Sequence, residues 1–342
     1  MTLLKISFIF LIVLFTVNST AQKPVINILD SGKKTSLRGL SVVDDSVVWA
    51  SGSNGKIARS TNGGKSFKWL TVQGYEKRDF RDIEAFDANI ALIMAVAEPA
   101  IILKTKDGGK TWKKVFEDTT KGMFLDAMDF DNSSGIVVGD PIENKIYIAF
   151  TNNYGESWQK LAYKKNILYS TEGMFAASGT NVKLLSQENK SGLNEVLVTG
   201  GKKSRLFYKG SPFNLDIIQG EESQGANSVA INLTRDTIIV VGGDFKNDTS
   251  KKGNCDIISV HHDSVLHIKP ITPPYGYRSC VEYITKDKLI NCGTSGVDIS
   301  NDGGMNWELI STKSFHVCKK AKQGNKLFLA GANGKIAILS YQ

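Results

Sequence analysis

An octapeptide of one pattern recurs four times along the chain, at 60–67, 105–112, 151–158 and 300–307. Each copy reads Ser/Thr-x-Asp/Asn-x-Gly-x-x-Trp/Phe, from Ser60-Thr61-Asn62-Gly63-Gly64-Lys65-Ser66-Phe67 to Ser300-Asn301-Asp302-Gly303-Gly304-Met305-Asn306-Trp307. Every part suits a tight hairpin: the hydroxyl and the Asp or Asn bond the turn's own backbone, Gly supplies a positive φ, and the ring packs beneath. A repeated unit constrains the fold strongly, because one unit cannot bury its apolar face except on a copy of itself.

The segments upstream of these turns align in a second register with seven members. They open at Arg38, Arg81, Asp126, Glu172, Asn227, Arg278 and His316, and each leads into a second strand ending near Gly52, Ala97, Gly139, Gly200, Gly242, Gly293 or Gly331. Residues 22–342 divided by seven give about 46 per unit, within the roughly 40–50 residues of four-stranded propeller blades. The expected fold is therefore all-β: a seven-bladed β-propeller of four-stranded antiparallel blades. Blades four and five lack the turn pattern, with 207–211 and 261–264 standing where it belongs. The last unit stops after a third strand at 335–340, and the alternating segment 24–29 precedes the first inner strand. That segment is expected to supply the missing fourth strand, so that the N-terminal strand closes the last blade and removes a free edge.

These octapeptides resemble the Asp-box, or bacterial neuraminidase repeat, of sialidases, sortilin-type receptors and photosystem II assembly-factor propellers. The resemblance implies a propeller and makes residues such as Asp107 and Trp112 structural. Signal peptide, length, turn density and seven units are most similar to the photosystem II assembly-factor type, which implies a binding scaffold. The arginine patch of that type is matched loosely by Arg38, Arg81 and Arg278. Sialidase chemistry would use three arginines, a tyrosine paired with a glutamate, and an acid/base. Sialidases have six blades, however, and their Arg-Ile-Pro motif reads Arg38-Gly39-Leu40 here.

In a four-stranded meander the turn between strands three and four lies opposite the opening of strand one. The octapeptide turns thus decorate one face, and Arg38, Arg81, Asp126, Glu172, Asn227, Arg278 and His316 gather at the channel mouth on the other. The turns after each second strand add Glu98, Asp140, Asp244 and Thr294. Arginines and carboxylates converging on one concavity suit an anionic ligand. Three readings stay open: a solvated structural mouth with Arg81 beside Asp126 and His316 beside Arg38, a binding site, or a catalytic one. Tyr275 and Tyr277 read as rim aromatics.

Lys5 followed by the apolar run 6–17 and the small, polar 18–21 reads as a secretory signal peptide. The run is too short to span a bilayer, which needs about 20 residues, and cleavage is expected after Ala21. A periplasmic or extracellular single domain over 22–342 follows. The chain carries a net charge of +8, but its lysine doublets, such as Lys33-Lys34 and Lys164-Lys165, are scattered as solvated loops would have them. Four cysteines are too few for a disulfide scaffold; buried free thiols or one bridge between neighbouring strands are the two readings. No zinc spacing, no C-x-x-C-H and no dinucleotide fingerprint occurs, so no metal and no cofactor is expected. The expectation is an exported monomer without a membrane span or nucleic-acid partner, binding a protein segment or a carbohydrate, an acidic or polar glycan, at the mouth. The alternatives are a sialidase-like glycoside hydrolase acting on an acidic sugar and, behind it, an oxidoreductase.

Overall fold

A computed structural model describes residues 22–161, 168–185, 194–261 and 264–342. The leader read at 1–21, the Lys164-Lys165 doublet and the His262-Asp263 pair lie outside the described residues. Within them, strands fall into seven antiparallel sheets in sequence order around a ring. Blade one is Leu37–Val42, Val48–Gly52, Lys56–Ser60 and Lys68–Thr71. Blade two runs from Phe80–Ala85 to Lys113–Asp118, and blade three from Leu125–Asp131 to Gln159–Lys160. The innermost strands of blades four to seven are Val182–Leu184, Gln224–Ile231, Cys280–Tyr283 and Val317–Lys320.

Second strands are buried along their centres, and over their whole length at Val48–Gly52, Ala91–Ala95 and Leu289–Gly293, whereas outermost strands such as Lys68–Thr71 and Ser211–Asn214 are largely exposed. The cause is packing between blades. Trp49, Ile57 and Val72 of blade one meet Phe80, Ile93 and Leu103 of blade two in one apolar cluster, and similar clusters join the following pairs. Each inner strand is covered on both faces, and such strands become near-continuous apolar runs.

The four turns have the hydrogen bonds their residues predict. The hydroxyls of Ser60, Thr105, Thr151 and Ser300 donate to Asn62, Asp107, Asn153 and Asp302 at 2.8–2.9 Å. The same hydroxyls accept the N–H of Gly64, Gly109, Gly155 and Gly304 at 2.9–3.1 Å. These four glycines have φ between +72° and +92°, a region other residues rarely adopt. Asp107 also accepts the Thr111 hydroxyl and amide, which holds its carboxyl down to about 2. In blade four, Lys209 and Gly210, both at positive φ, make the two-residue turn that replaces the octapeptide.

Closure follows the sequence reading. Pro24–Asp30 pairs antiparallel with Ile336–Tyr341, from Pro24 opposite Tyr341 to Asp30 opposite Ile336, as the outermost strand of blade seven. Lys23 and Gln342 exchange backbone hydrogen bonds of 2.8 and 3.0 Å. No helix among the described residues is long and apolar enough to cross a membrane.

Blade four departs from the expectation. Its inner strand is Val182–Leu184, ten residues beyond the opening read at Glu172. Glu172–Gly173 instead pairs with Gly200–Gly201, which bridges to Gly225 and extends the sheet of blade five to six strands. The segment between crosses the channel. Met174 donates its N–H to Asp140 of blade three at 3.0 Å, and Arg38 of blade one donates to the Ala177 carbonyl at 3.1 Å. The Ser178 hydroxyl donates to the Ser279 carbonyl of blade six, and the Thr180 hydroxyl to Ser228 of blade five, both at 2.7 Å. Gly179 lies against the Asp82 carboxyl of blade two. Ala176, Ala177, Ser178, Gly179 and Thr180 are the small residues a narrow channel admits, so the propeller carries its own plug.

Gly179 tests that plug. Its φ is +65°, and a Cβ there would stand 2.3–2.5 Å from the Asp82 carboxyl. Gly179→Ala is expected to cost at least about 2 kcal/mol in urea unfolding, combining left-handed strain with a clash in a packed site. An unchanged midpoint and slope would show that the segment does not fill the channel.

Candidate functional site

The inner strands open on the mouth with a shared irregularity. In blades one, two, three and five the pairing slips by one residue, so Arg38, Arg81, Asp126 and Asn227 each stand as the extra residue of a bulge. A bulge re-aims a side chain and ends regular pairing. The residue before it is buried, and in blades one, three and seven that residue's N–H reaches the preceding blade: Leu37 to Gly331, Leu125 to Val96 and Phe315 to Gly293, each at 3.1 Å.

Arg278 occupies this linking position and not the mouth position, since its N–H donates to Gly242 of blade five at 2.8 Å. The residue of blade six that faces the mouth is Ser279. Arg278 thus stands one residue out of register with the other openings, and in a strand one residue exchanges the two faces. Arg278 is fully buried and bonded to Asp298, Asn291, Ser295 and the Tyr277 carbonyl at 2.6–2.9 Å. Glu172 is likewise turned away, accepting the Arg205 guanidinium at 2.7 Å and the Thr199 hydroxyl at 2.5 Å.

What remains is a cup of about 480 Å³ floored by the plug. Arg38, Arg81, Asn227 and His316 line it, with Phe124, Met174, Phe175, Phe245, Tyr277, Ser279 and Thr294. Glu98, Asp140 and Asp244 stand outside the lining. Glu98 accepts the Gly122 N–H at 3.0 Å, and Asp244 accepts the Ser223 hydroxyl at 2.7 Å and the Gln224 amide at 3.2 Å.

The cup has two chemically different walls. On one side Arg38 donates to the Ala177 carbonyl at 3.1 Å, and Arg81 meets Asp79 at 2.7 Å and lies over the Phe124 ring at 5.7 Å. Burial and the neighbouring Arg81 lower the pKa of Arg38, the signature of two cations facing one space. On the other side Phe175, Phe245 and Tyr277 form an edge-to-face row with centroids 6.0 and 6.3 Å apart. The Tyr277 hydroxyl donates to Asn227 at 2.7 Å. The aromatic row was not anticipated beyond Tyr277 as a rim residue: Phe175 sits on the plug, and Phe245 follows the second strand of blade five.

No acidic residue lines the cup among the described residues. Asp126 lies fully buried behind it, near the amides of Asp140 and Ala176 but outside hydrogen-bond geometry with either. Burial, then the Asp140 carboxylate, raise its pKa well above the ordinary value, which disfavours its charged form. His316 is hydrogen-bonded to Ser36 at 3.1 Å and is held neutral: burial, Arg38, Lys335 and Arg81 depress its pKa to about 3. The positive charge of the mouth thus comes from Arg38 and from Arg81, the latter shared with Asp79.

The depressed His316 has a consequence for stability. Its folded pKa lies below the unfolded value near 6.5, so the unfolded chain binds the extra proton and stability falls as pH drops from about 6.5 toward 3. The loss is about 1 kcal/mol per pH unit. His316→Gln removes it, so the stability gap between wild type and variant should narrow between pH 7 and 4 in urea titrations. A constant gap would mean that His316 titrates normally.

Below the plug lies a second cavity of about 230 Å³, lined by Glu84, Asp129, Glu282, Lys183, Lys319 and Lys322 among others. Its charges pair with each other, Lys183 with Asp129 at 3.4 Å and Lys322 with Glu84. Four acidic and four basic side chains line it, whereas the cup is lined by two arginines and, among the described residues, no acid.

A family model described as photosynthesis system II assembly factor YCF48 matches residues 69–189, which include the second and third octapeptide turns. No curated protein matches the chain in sequence. Among solved structures, YCF48 bound to a D1 peptide is 17% identical over 94% of this chain and 96% of that one, with a TM-score of 0.64. YCF48 from Cyanidioschyzon merolae is 16% identical over 92% and 98%, with a TM-score of 0.60. The WD40 repeats of RRP9 reach a TM-score of 0.62 at 13% identity, over 94% of this chain and 100% of that one, so the ring alone does not choose a function. The chain is thus a seven-bladed propeller whose segment 69–189 is similar to the photosystem II assembly-factor family.

Proposed function

We propose that the chain is a non-catalytic scaffold whose cup binds a protein segment presenting a carboxylate, from an acidic side chain or a chain end, next to an apolar side chain. The carrying observation is the two-walled cup: Arg38 and Arg81 on one side, the Phe175, Phe245 and Tyr277 row on the other, and no acid between them. Guanidinium forks suit carboxylates, and aromatic faces suit an apolar side chain. A solved propeller of like fold holds a D1 peptide, which supports a protein segment as the class of partner. The leader at 1–21 supports export, and we place the partner outside the cytoplasm.

The same geometry weighs against hydrolysis. A glycosidase needs two carboxyl groups at the bond being cleaved, and none lines the cup among the described residues. A sialidase arrangement would also need a third arginine, which Arg278 does not provide, and a tyrosine paired with a glutamate, where Tyr277 is paired with Asn227. Thermal shift of the chain from Gln22 onward, against acidic peptides, their amidated or neutral counterparts and acidic sugars, separates the readings. Stabilisation by acidic peptides alone is expected. Stabilisation by acidic sugars alone would replace the protein segment by a glycan, and turnover of a fluorogenic glycoside panel would overturn the non-catalytic reading.

A further inference from the structure

Three of the four cysteines meet at one point. Cys280 and Cys292 are paired residues on the first and second strands of blade six, and Cys318 lies on the first strand of blade seven. The Cys280 and Cys318 sulfurs are 3.7 Å apart, and all three lie within 4.8 Å of one another. Each is fully buried, inside the apolar cluster of Ile290, Val317 and Leu329. They are free thiols. In the chain they are separated by eleven and twenty-five residues, with no motif to announce them; only the pairing of blade six and its packing on blade seven bring them together.

We propose that Cys280, Cys292 and Cys318 form a three-coordinate thiolate site for a soft monovalent cation, Cu(I). A cation at the centre of a sulfur triangle with bonds of about 2.3 Å holds its sulfurs about 4 Å apart, close to the spacing present. Structural zinc takes four ligands, and among the described residues no fourth His, Cys, Asp or Glu joins this group. Soft sulfur donors select Cu(I), and the three sulfurs are fully buried within an apolar cluster that offers no polar group to hold a fourth, water ligand. Cu(I) enters as thiol protons leave for solvent, each release adding one negative charge to the set and the metal adding one positive. Lys319, adjacent to Cys318 in the chain, brings one positive charge beside the set, while Arg278 is already paired with Asp298. Because the site is sealed, it loads while the blades assemble. Cys255 stands apart, between blades five and six.

The test uses the full chain from Gln22, reduced and handled without oxygen. Protein unfolded in denaturant is refolded with one equivalent of Cu(I), passed over a weak chelator and assayed for copper, for free thiols and for its melting temperature. One copper per chain is expected, with a raised melting temperature and an ultraviolet sulfur-to-copper band. Cys318→Ala and Cys292→Ala should each lose the retained copper, while Cys255→Ala should keep it. X-ray absorption of the wild type should show a single shell of three sulfurs, a measurement that does not depend on any variant folding. The proposal is overturned by a folded wild type that retains no copper, by retention in Cys318→Ala equal to wild type, by a shell containing nitrogen or oxygen, or by preferential retention of zinc from an equimolar mixture.

Discussion

Replacing Arg38 and Arg81 together by alanine is expected to weaken binding of an acidic peptide by about 100-fold or more, measured by calorimetry at fixed salt. A hydrogen bond to a charged group contributes about 1.5–3 kcal/mol, and every 1.4 kcal/mol is about tenfold in affinity. Two guanidiniums lost from one cup thus exceed two orders of magnitude. No other cation of the cup replaces them, because His316 is neutral and the third arginine of the alignment, Arg278, is held by Asp298; Arg81 shares its charge with Asp79, so Arg38 is expected to carry the larger part of the loss. Arg81→Lys keeps the charge and loses the planar fork, so it should retain part of the affinity. Phe245→Ala should weaken binding without changing its salt dependence, since it removes apolar contact from the opposite wall. If the double variant binds an acidic peptide as wild type does, the cup is not the binding site.

Deleting residues 24–29 is the second change with a large expected effect. Among the described residues, Pro24–Asp30 is the strand that covers the outer edge of Ile336–Tyr341, and Ile26 within it is 5% exposed. Removing it takes away a row of backbone hydrogen bonds at about 1 kcal/mol net each and the burial of one isoleucine, about 1.5–3 kcal/mol. The sum is on the order of 5 kcal/mol. In a chain of this size each kcal/mol moves the melting temperature by about 2 °C or a little less, so a fall of roughly 10 °C is expected. The freed edge should also make the variant aggregate. A deletion variant that melts with wild type would show that the ring does not depend on this closure.

The architecture was legible because its signals are local. A hydroxyl, an Asx, a glycine at positive φ and a ring must stand at fixed offsets to build one turn, and four copies on a near-constant period reveal the blade. The missing fourth strand of blade seven was legible for a related reason: a count of strands leaves one edge bare and one alternating segment unused.

The site was less legible. Arg38, Arg81, Asn227 and His316 could be placed at the cup because their strands follow the repeat. Arg278 could not, because a residue beside a β-bulge differs from its neighbour by one position in sequence and by a whole face in space. Glu172 failed for another cause: its segment carries the opening pattern of an inner strand, yet it is ten residues too early and is folded across the channel.

The sequence by itself determined the repeat, the blade number, the turn chemistry and the closure, all of which rest on hydrogen bonds and periodicities internal to one unit. The tertiary structure alone decided that Met174 to Thr180 plug the channel, that Phe175 and Phe245 face two arginines across the cup, and that Cys280, Cys292 and Cys318 converge. Those are contacts between blades far apart in the chain, and the pattern of a single blade holds no record of what its neighbours bring against it.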